Sequence, residues 1–462
     1  MAQLGTEQNP LHVAIVGSGP SGFYATEALI RSDHTVKIDL LERLPTPFGL
    51  VRSGVAPDHP KLKQAILVYE KIAEAPQFNF IGNVTVGRDI SVEELARNYH
   101  AIIFTCGAES DRKLGIPGEN LAGSHTATEF VGWYNGHPDY RDVEFDLSHE
   151  TAVIIGQGNV AADVGRILSK TVDELQHTDI SGHALEVLAE SKIRRIYIVG
   201  RRGPVQAKFT SKELKEFGEL GVCGAAVDAE ELKLNEASTI ELEDKTNAGS
   251  RKVYELLSEF AANTNRDKQR RCHFTFLKSP VELKGQTRLT KIIFEKNRLQ
   301  GEPFSQAALG TGETFELEAG LLFRSIGYQG KPIAGVPFND KRGVFPNRDG
   351  RITDTQGQPI LQLYTAGWIK RGPTGIIGTN RADSVATVEC LLQDLDKLNS
   401  TETKQGATAV YNVLHSKNIR PVSFSDWQKV DHEEKIRGQP LGKPREKITS
   451  IQECLQIIGK SR

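Results

Sequence analysis

The stretch Gly17-Ser18-Gly19-Pro20-Ser21-Gly22 decides the fold of this chain. It follows the apolar run 12–16 and precedes a helical pattern over 23–31, so it predicts the strand, turn and helix of a dinucleotide-binding unit. In such a turn, Gly17 permits the tight bend, Gly19 lets a pyrophosphate approach the backbone, and Gly22 lets the helix pack closely on the strand. The N-terminus of the helix offers unpaired N–H donors to the phosphates.

The next predicted strand, 36–41, ends in the acidic residue Glu42. A carboxylate about twenty residues after such a turn accepts hydrogen bonds from ribose hydroxyls. A 2′-phosphate beside it would cost about 4 kcal/mol per pair of unit charges at an effective dielectric near 20. The first site is therefore predicted to take FAD or NAD(H) and to exclude NADP(H).

A second unit begins with the predicted strand 151–155, and its turn has the form GxGxxA from Gly156 to Ala161. Its partner strand, 193–199, ends before the adjacent residues Arg201 and Arg202, where the first unit has Glu42. Two guanidinium groups can donate paired hydrogen bonds to a 2′-phosphate, so the second site is predicted to bind NADP(H). The alternative is that both arginines are solvated loop charges.

Composition limits the classes of protein that the chain can represent. Its 462 residues favour two domains, and a net charge of −2 argues against bulk binding to nucleic acid. Without eighteen consecutive apolar residues, no transmembrane segment is expected. The five cysteines form no CxxC pair, so neither a dithiol relay nor a metal site is expected. The N-terminus resembles no leader, which predicts a bacterial cytoplasmic protein, with a mitochondrial matrix protein stripped of its leader as the alternative.

Proline and glycine are frequent over residues 44–60, so this segment is predicted to be a rigid loop at the carboxyl ends of the strands. His59 lies in it, and an ordinary surface histidine is the alternative to a functional one. A buried strand over 361–368, a glycine turn and a helix over 381–395 then return to the first unit, where Trp368 could stack near a flavin. The segments from residue 420 onward suggest no chemistry by themselves.

The chain resembles the adrenodoxin reductase family, the NADPH:ferredoxin oxidoreductases. The resemblance is carried by PFGLVR-GVAPDHP (47–60), FVGWYNG (130–136), GQGNVA-DV-RIL (156–168), VGRRGP (199–204) and GW-KRGPTG-I (367–377), with PVSFSDW and GKPREK near the end. It implies an α/β fold of two doubly wound, three-layer Rossmann-like domains of the glutathione reductase kind. The FAD domain is expected at 1–107 and 331–462, with the NADP domain inserted at 108–330.

The resemblance also implies the residues that touch the cofactors. FAD contacts are expected at Ser21, Glu42, Leu50, Val86, Trp368, Gly375, Ile376 and Ile377. NADP contacts are expected at Gln157, Gly158, Asn159, Val160, Arg201, Arg202, Glu213 and Gly375. His59 and Asp163 are expected to form a catalytic pair near the place of electron transfer, since a carboxylate can fix the tautomer of an imidazole and raise its pKa.

The activity that follows is an NADPH:ferredoxin reductase. NADPH passes a hydride to FAD, which then makes two one-electron transfers to an acidic, adrenodoxin-like [2Fe-2S] ferredoxin. The ferredoxin is expected on a basic surface patch within 212–252, and the reductase is expected to be a monomer. Two alternatives stay open: a flavoprotein oxidase or monooxygenase, and a redox-sensing nucleotide-binding protein without turnover.

Overall fold

The first part of the chain alternates strands and helices. The computed structural model describes residues 3–263, 267–399 and 403–459. The elements up to residue 111 are β1 (Leu11–Val16), α1 (Pro20–Ile30), β2 (Val36–Leu41), α2 (Gly49–Ser53), α3 (Pro60–Lys63), α4 (Ala65–Ala73), β3 (Phe78–Ile81), α5 (Val92–Asn98), β4 (Ala101–Phe104) and β5 (Ser110–Asp111).

The middle of the chain repeats the alternation and adds a run of three longer strands. Its elements are β6 (Ser124–Thr126), α6 (Ala127–Tyr134), β7 (Thr151–Ile155), α7 (Asn159–Ser169), α8 (Val172–Leu175), α9 (Gly182–Ala189), β8 (Arg195–Val199), α10 (Ser211–Glu219), β9 (Cys223–Val227), α11 (Glu236–Glu243), α12 (Ala248–Ala262), β10 (Arg270–Thr275), β11 (Lys278–Lys284), β12 (Lys291–Gln300), β13 (Ala307–Glu318) and β14 (Leu321–Arg324).

The last part supplies short strands and most of the C-terminal helices. Its elements are β15 (Tyr328–Gln329), β16 (Asn347–Arg348), β17 (Arg351–Thr353), β18 (Pro359–Thr365), α13 (Trp368–Arg371), α14 (Ile377–Gln393), α15 (Leu395–Leu398), α16 (Ala407–Ser416), α17 (Phe424–Gly438) and α18 (Ile451–Ile457).

The chain divides into two units. One comprises Met1–Ser110 and Tyr328–Arg462, and the other is the continuous segment Asp111–Gly327. In the continuous unit, the amide of Arg112 donates to the carbonyl of Gly327 at 3.0 Å, so its two ends meet. The expected domain limits, at 107/108 and 330/331, lie three residues from these borders.

The discontinuous unit is built on a seven-stranded sheet of order β16-β17-β18-β4-β1-β2-β3. Strands β18, β4, β1, β2 and β3 run parallel, while β16 and β17 form an antiparallel edge. Five of the six residues of β1 are buried, as expected for a parallel strand covered on both faces. Strands β2 and β3 lie on one side of β1, and β4 lies on the other, so the strand order reverses at β1. Such a reversal leaves a crevice at the carboxyl end of the strand.

The continuous unit contains a parallel sheet of order β6-β14-β7-β8-β10-β9 and a separate antiparallel sheet of order β11-β12-β13. In the parallel sheet β7 occupies the place that β1 has in the first unit, between β14 and β8. The turn after β7 therefore lies at the equivalent crevice. Within the described ranges, no helix has both the length and the apolar composition needed to cross a bilayer.

Three local expectations were wrong or incomplete. The predicted loop 44–60 contains the helix α2, because residues 49–53 hold no proline although Pro47 and Pro57 flank them. Helix α14 begins at Ile377 rather than at residue 381, since Gly375 absorbs the turn at φ +84°. The antiparallel sheet was largely missed, because β11 and β13 are rich in charged or exposed residues and show no apolar run.

Candidate functional site

The first glycine turn leaves an open approach to the backbone at one position. Gly17 has φ +109°, and a Cβ there would lie 2.7 Å from the carbonyl oxygen of Thr105. A Cβ on Gly22 would lie 2.1 Å from the carbonyl oxygen of Gly17, whereas nothing lies within 4 Å of a Cβ on Gly19. Close packing therefore requires glycine at Gly17 and Gly22, whereas Gly19 faces a space that a pyrophosphate could fill.

Glu42 lies one residue beyond β2 and is held against this turn. Its Oε2 accepts hydrogen bonds from the amide and the hydroxyl of Ser18, at 3.0 and 2.7 Å, and its Oε1 accepts from the amide of Leu44 at 3.1 Å. A carboxylate has about four lone-pair sites, so one acceptor site remains for a ribose hydroxyl. The negative charge of this carboxylate would repel a 2′-phosphate on that ribose.

Helix α2 packs directly on the open part of the turn. The amide of Phe48 donates to the carbonyl of Ser18 at 3.1 Å, and a Cβ on Gly49 would lie 2.9 Å from the Cα of Gly19. Gly49 has φ +48°, so it meets both the conformational and the spatial requirement for glycine. The start of α2 thus forms one wall of the space beside Gly19.

The turn that follows β18 is organised by Asp383 of α14. Its Oδ2 accepts hydrogen bonds from the amide of Gly367 at 2.5 Å and from the guanidinium of Arg371 at 3.0 Å, and its Oδ1 pairs with Lys370 at 2.9 Å. Gly367 has φ +79°, and a Cβ there would lie 2.1 Å from the Oγ of Ser21. The turn is therefore hydrogen-bonded to α14 and packs closely against α1.

Trp368 has a buried donor that finds no acceptor among the residues that the structure describes. Its ring stacks on that of Tyr328, with centroids 5.6 Å apart, and its Nε1 is buried without a hydrogen-bond partner. A buried N–H left unpaired costs about 1–3 kcal/mol. An acceptor on a bound cofactor would remove that cost, so this part of the unit fits a flavin.

The other expected FAD contacts differ widely in exposure. Ser21 is buried, its hydroxyl lies 3.3 Å from Oδ1 of Asn380, and its carbonyl accepts from Ser384. Val86 is buried, Leu50 is 37% exposed, and Ile376 is 72% exposed. Ile376 immediately precedes α14, and the following Ile377 is its first residue. The assignment of these side chains to FAD, like that of Gly375, stays a prediction.

The second glycine turn repeats the geometry of the first. Gly156 has φ +130°, and a Cβ there would lie 2.0 Å from the carbonyl oxygen of Ser325, while nothing lies within 4 Å of a Cβ on Gly158. Gln157 donates from its side chain to the carbonyl of Thr275 at 2.9 Å. Helix α7 follows with Asn159 and Val160 in its first turn, and Oδ1 of Asn159 accepts from the amide of Thr210 at 2.8 Å. The open backbone again leaves room for a pyrophosphate.

The arginine turn at the carboxyl end of β8 presents positive charge. Arg201 is exposed and Arg202 is half-buried. The nearby carboxyl of Glu241 is buried, which alone would raise its pKa, but hydrogen bonds from Gln306, Gln206 and the amide of Phe304, with the charge of Arg202, hold the pKa below its usual value. An ionised Glu241 attracts the guanidinium of Arg202 before any ligand binds.

Arg166 is a residue that the sequence analysis missed. Its side chain is fully buried on α7, and it donates to Oδ1 of Asp163 at 2.7 Å and to Oε2 of Glu213 at 3.4 Å. Its Nε also pairs with Glu216 at 3.4 Å. Two of the expected functional carboxylates, those of Asp163 and Glu213, therefore share one guanidinium. The available signal was an arginine three residues after Asp163 and next to the apolar pair Ile167-Leu168.

His59 is not an exposed loop histidine. It is 8% exposed, directly precedes α3, and donates its main-chain amide to the carbonyl of Ala56 at 3.0 Å. His59 and Asp163 belong to different units, and their pairing stays a prediction.

The segment 212–252, where a basic docking patch was expected, is acidic as a whole. It contains six lysines and arginines, against ten aspartates and glutamates. Arg251 donates to the carbonyls of Leu242, Glu243 and Asp244, all at 3.2 Å, so its guanidinium caps the end of α11. Lys212, Lys215 and Lys252 are exposed. Positive charge is therefore confined to a few local side chains.

Known proteins resemble this chain over nearly its whole length. The model of the NAD(P)-binding Rossmann-like domain matches residues 15–75. The mitochondrial NADPH:adrenodoxin oxidoreductase of Salvelinus fontinalis is 46% identical over 460 residues, which is 96% of this chain and 90% of that protein. The NADPH-ferredoxin reductase FprA of Mycobacterium tuberculosis is 44% identical over 461 residues, 97% of this chain and 99% of that protein. The structure of FprA in complex with NADPH matches with a TM-score of 0.91 over 97% of this chain and 100% of that one. These matches confirm both the α/β fold with a Rossmann-like domain and the resemblance that the sequence motifs carry.

Proposed function

This chain belongs to the family of NADPH:adrenodoxin oxidoreductases and NADPH-ferredoxin reductases, and from that membership we propose that it transfers electrons from NADPH through FAD to a [2Fe-2S] ferredoxin. It is thus an oxidoreductase of the ferredoxin–NADP(+) reductase class. The relatives include mitochondrial and mycobacterial proteins, so the compartment stays a prediction.

The two units carry opposite charges at equivalent places, and this contrast supports the proposal most directly. Glu42 follows β2, which pairs with β1, whereas Arg201 and Arg202 follow β8, which pairs with β7. A carboxylate there suits a free ribose, and a pair of guanidinium groups suits a 2′-phosphate. One unit is therefore suited to FAD and the other to NADP(H).

In the discontinuous unit, FAD would lie with its pyrophosphate at Gly19 and a ribose at Glu42. The buried N–H of Trp368 would donate to an acceptor on the cofactor. FAD takes up two electrons with a hydride and can return them one at a time, which links a nicotinamide donor to a one-electron acceptor. The protein's contribution is to bind, to orient and to exclude water.

In the continuous unit, NADPH would lie with its pyrophosphate at Gly158 and its 2′-phosphate at Arg201 and Arg202. We also propose that the NADP unit is inserted in the FAD unit, as in glutathione reductase. The division of the chain at residues 110/111 and 327/328 supports this arrangement. We include His59 and Asp163 as residues close to the transfer. Arg166 then acts as a positioning residue, because it holds the carboxylate of Asp163.

The electron acceptor is an acidic ferredoxin that meets a monomeric reductase at exposed lysines. Lys212, Lys215 and Lys252 are the candidates within 212–252. Since that segment is acidic overall, attraction depends on these local charges and not on the charge of the segment.

Anaerobic stopped-flow mixing of the purified flavoprotein tests the function. NADPH should bleach the flavin, NADH should bleach it far more slowly, and an added [2Fe-2S] ferredoxin should then become reduced. Replacing both Arg201 and Arg202 by Ala should raise the KM for NADPH at least about 100-fold, because each lost charged hydrogen bond is worth about 1.5–3 kcal/mol.

A double variant at the other end of the same strand provides the control. Arg194 and Arg195 are exposed at the amino end of β8, so replacing both by Ala removes equal charge and should leave the KM for NADPH unchanged. An unchanged KM in the Arg201/Arg202 variant would contradict the NADP assignment. Bleaching that only oxygen reverses would point to an oxidase, and no bleaching would leave a binding protein.

A further inference from the structure

The main chain of the arginine turn is held by three hydrogen bonds in a row. The carbonyl of Gly200 accepts from the amide of Lys278 at 3.0 Å, and that of Arg202 accepts from the amide of Leu277 at 3.1 Å. Between them, the carbonyl of Arg201 accepts from Nδ2 of Asn297 at 2.9 Å. Any residue other than proline can supply the two outer donors, but the central donor is a particular side chain.

Asn297 is itself fixed on the antiparallel sheet. It is 8% exposed, and its main-chain N–H donates to the carbonyl of Leu277 at 2.7 Å. Its side-chain Nδ2 also donates to Oγ of Ser279 at 2.8 Å. It stands at the register shift of β12 against β13, between Glu295 and Asn297. Leu277 has φ +54°, which is unusual for a residue other than glycine. In this conformation its amide donates to the carbonyl of Arg202, and its carbonyl accepts from the main-chain amide of Asn297. The donor is therefore oriented before a ligand arrives.

The central carbonyl lies in the backbone between the two arginine side chains. It belongs to the peptide plane that joins the Cα atoms of Arg201 and Arg202, and that plane is rigid. A displacement of the plane moves the Cα atoms of both residues, and with them the points from which both side chains extend. Because the side chain of Arg201 is exposed, its position depends largely on the backbone that carries it.

We propose that Asn297 is a positioning residue for recognition of the 2′-phosphate of NADPH, which it serves by holding the carbonyl of Arg201. The inference rests on the proposed function, in which the two arginines bind that phosphate. It also gives the antiparallel sheet β11-β12-β13 a role: it lies outside the parallel sheet and supports the turn that selects the coenzyme.

The test compares two nucleotides that differ only in the 2′-phosphate. Binding of adenosine 2′,5′-bisphosphate and of adenosine 5′-monophosphate to the full-length flavoprotein is measured by calorimetry, for Asn297→Ala and Asn297→Leu. Both variants should weaken the bisphosphate about fivefold to tenfold, the loss expected for about one hydrogen bond, and leave the monophosphate within about twofold. The Leu variant keeps the number and branching of the side-chain heavy atoms and leaves no cavity, so it separates the lost donor from the effect of a cavity.

Two further variants make the outcomes distinct. Asn135→Ala removes another buried amide that donates to a main-chain carbonyl, that of Val131 at 3.1 Å on α6, and it should leave the preference for the bisphosphate intact. If the Asn297 variants weaken both nucleotides equally, or neither, while the double Ala variant of Arg201 and Arg202 loses the preference, this inference alone fails. If that double variant keeps the preference, the proposed coenzyme site fails and the inference with it.

Discussion

At the scale of single residues, the buried imidazole of His100 links stability to pH. It is 2% exposed, and its Nδ1 accepts a hydrogen bond from the amide of His12 at 3.1 Å, which requires a neutral ring. Burial, with His12 and Lys404 nearby, lowers the pKa of His100 to about 4, and burial with Lys37 does the same for His12. An unfolded histidine titrates near pH 6.5, so the unfolded chain takes up protons first as the pH falls.

The free energy of unfolding should therefore be highest above pH 6.5 and fall as the pH is lowered towards 4. Replacing His100 by Asn keeps an acceptor for the His12 amide and removes one of the two groups that titrate. The urea midpoint of His100→Asn, measured from pH 8 to pH 4.5, should fall less steeply than that of the unchanged protein. His432→Asn, at an exposed histidine on α17, should keep the original slope. Equal slopes for all three proteins would disprove the coupling.

Individual residues were predictable where the local backbone dictates them. Gly17 and Gly156 could be assigned because a tight turn with positive φ after a strand has a clear sequence pattern. Arg166 could not, because an arginine in a helix is usually exposed and only the packed structure shows three carboxylates around it. Asn297 gave no signal either, since its partner lies 96 residues away in the chain.

At the scale of elements, helix α17 braces α2 through a buried ion pair. The guanidinium of Arg52 donates to both oxygens of Glu434, and it lies 4.9 Å above the ring of Trp427. Arg445 and the amide of Ile448 also donate to Glu434. Burial alone would raise the pKa of Glu434, but the charges of Arg52 and Arg445 hold it below its usual value. Since α2 begins against Gly19, helix α17 supports the first glycine turn.

Replacing Glu434 by Gln should destabilise the protein by about 3–5 kcal/mol, because it leaves the buried guanidinium of Arg52 without its counter-charge. The flavin should also be released at a lower urea concentration than in the unchanged protein, as α2 loses its support. Both are followed by tryptophan and flavin fluorescence in one titration. Glu433→Gln is the matched control, since this neighbouring residue pairs with Arg437 at the surface and should change stability by about 1 kcal/mol or less. A Glu434 variant as stable as the control would refute the brace.

The elements that sequence could predict are those with an apolar period of their own. Strands β1 and β7 were located from their continuous apolar runs. The contact of α17 with α2 could not be predicted from the sequence. No motif after residue 420 indicates a partner for Arg52, and the contact forms only in the folded chain. Strand β13 lacks an apolar period because it is the edge strand of the antiparallel sheet and most of its residues are exposed.

At the scale of the whole molecule, the continuous unit has what an independent domain needs. It has its own parallel sheet, a core that includes Phe130, Phe274 and Phe323, and ends joined by the hydrogen bond from Arg112 to Gly327. The domain limits that the resemblance implies, at 107/108 and 330/331, lie three residues from the borders of this unit, and the domain assignment stays a prediction. The proposal that this unit binds NADP(H) rests on the charge of the arginine turn, whereas no sequence pattern points to the support of that turn by Asn297.

The segment 111–327 should therefore fold when produced alone. We expect cooperative thermal unfolding and binding of adenosine 2′,5′-bisphosphate, measured by calorimetry and by circular dichroism. The segment 1–110 alone is the contrasting case and should stay unfolded, because β4 lacks its neighbour β18. A fragment 111–327 that unfolds without a transition would show that the unit depends on the rest of the chain.

The pairing of β4 with β18 has a consequence for how the protein is made on the ribosome. Phe104 and Thr365 are hydrogen-bonded although 261 residues separate them, and all of Asp111–Gly327 is translated in between. At about 5–20 residues per second, the nascent β4 waits on the order of 10 to 50 s for its partner. All four of its residues, Ala101–Phe104, are apolar, and an unpaired apolar edge readily pairs with other chains. The speed of translation through the inserted segment therefore sets how long each new molecule stays exposed to aggregation.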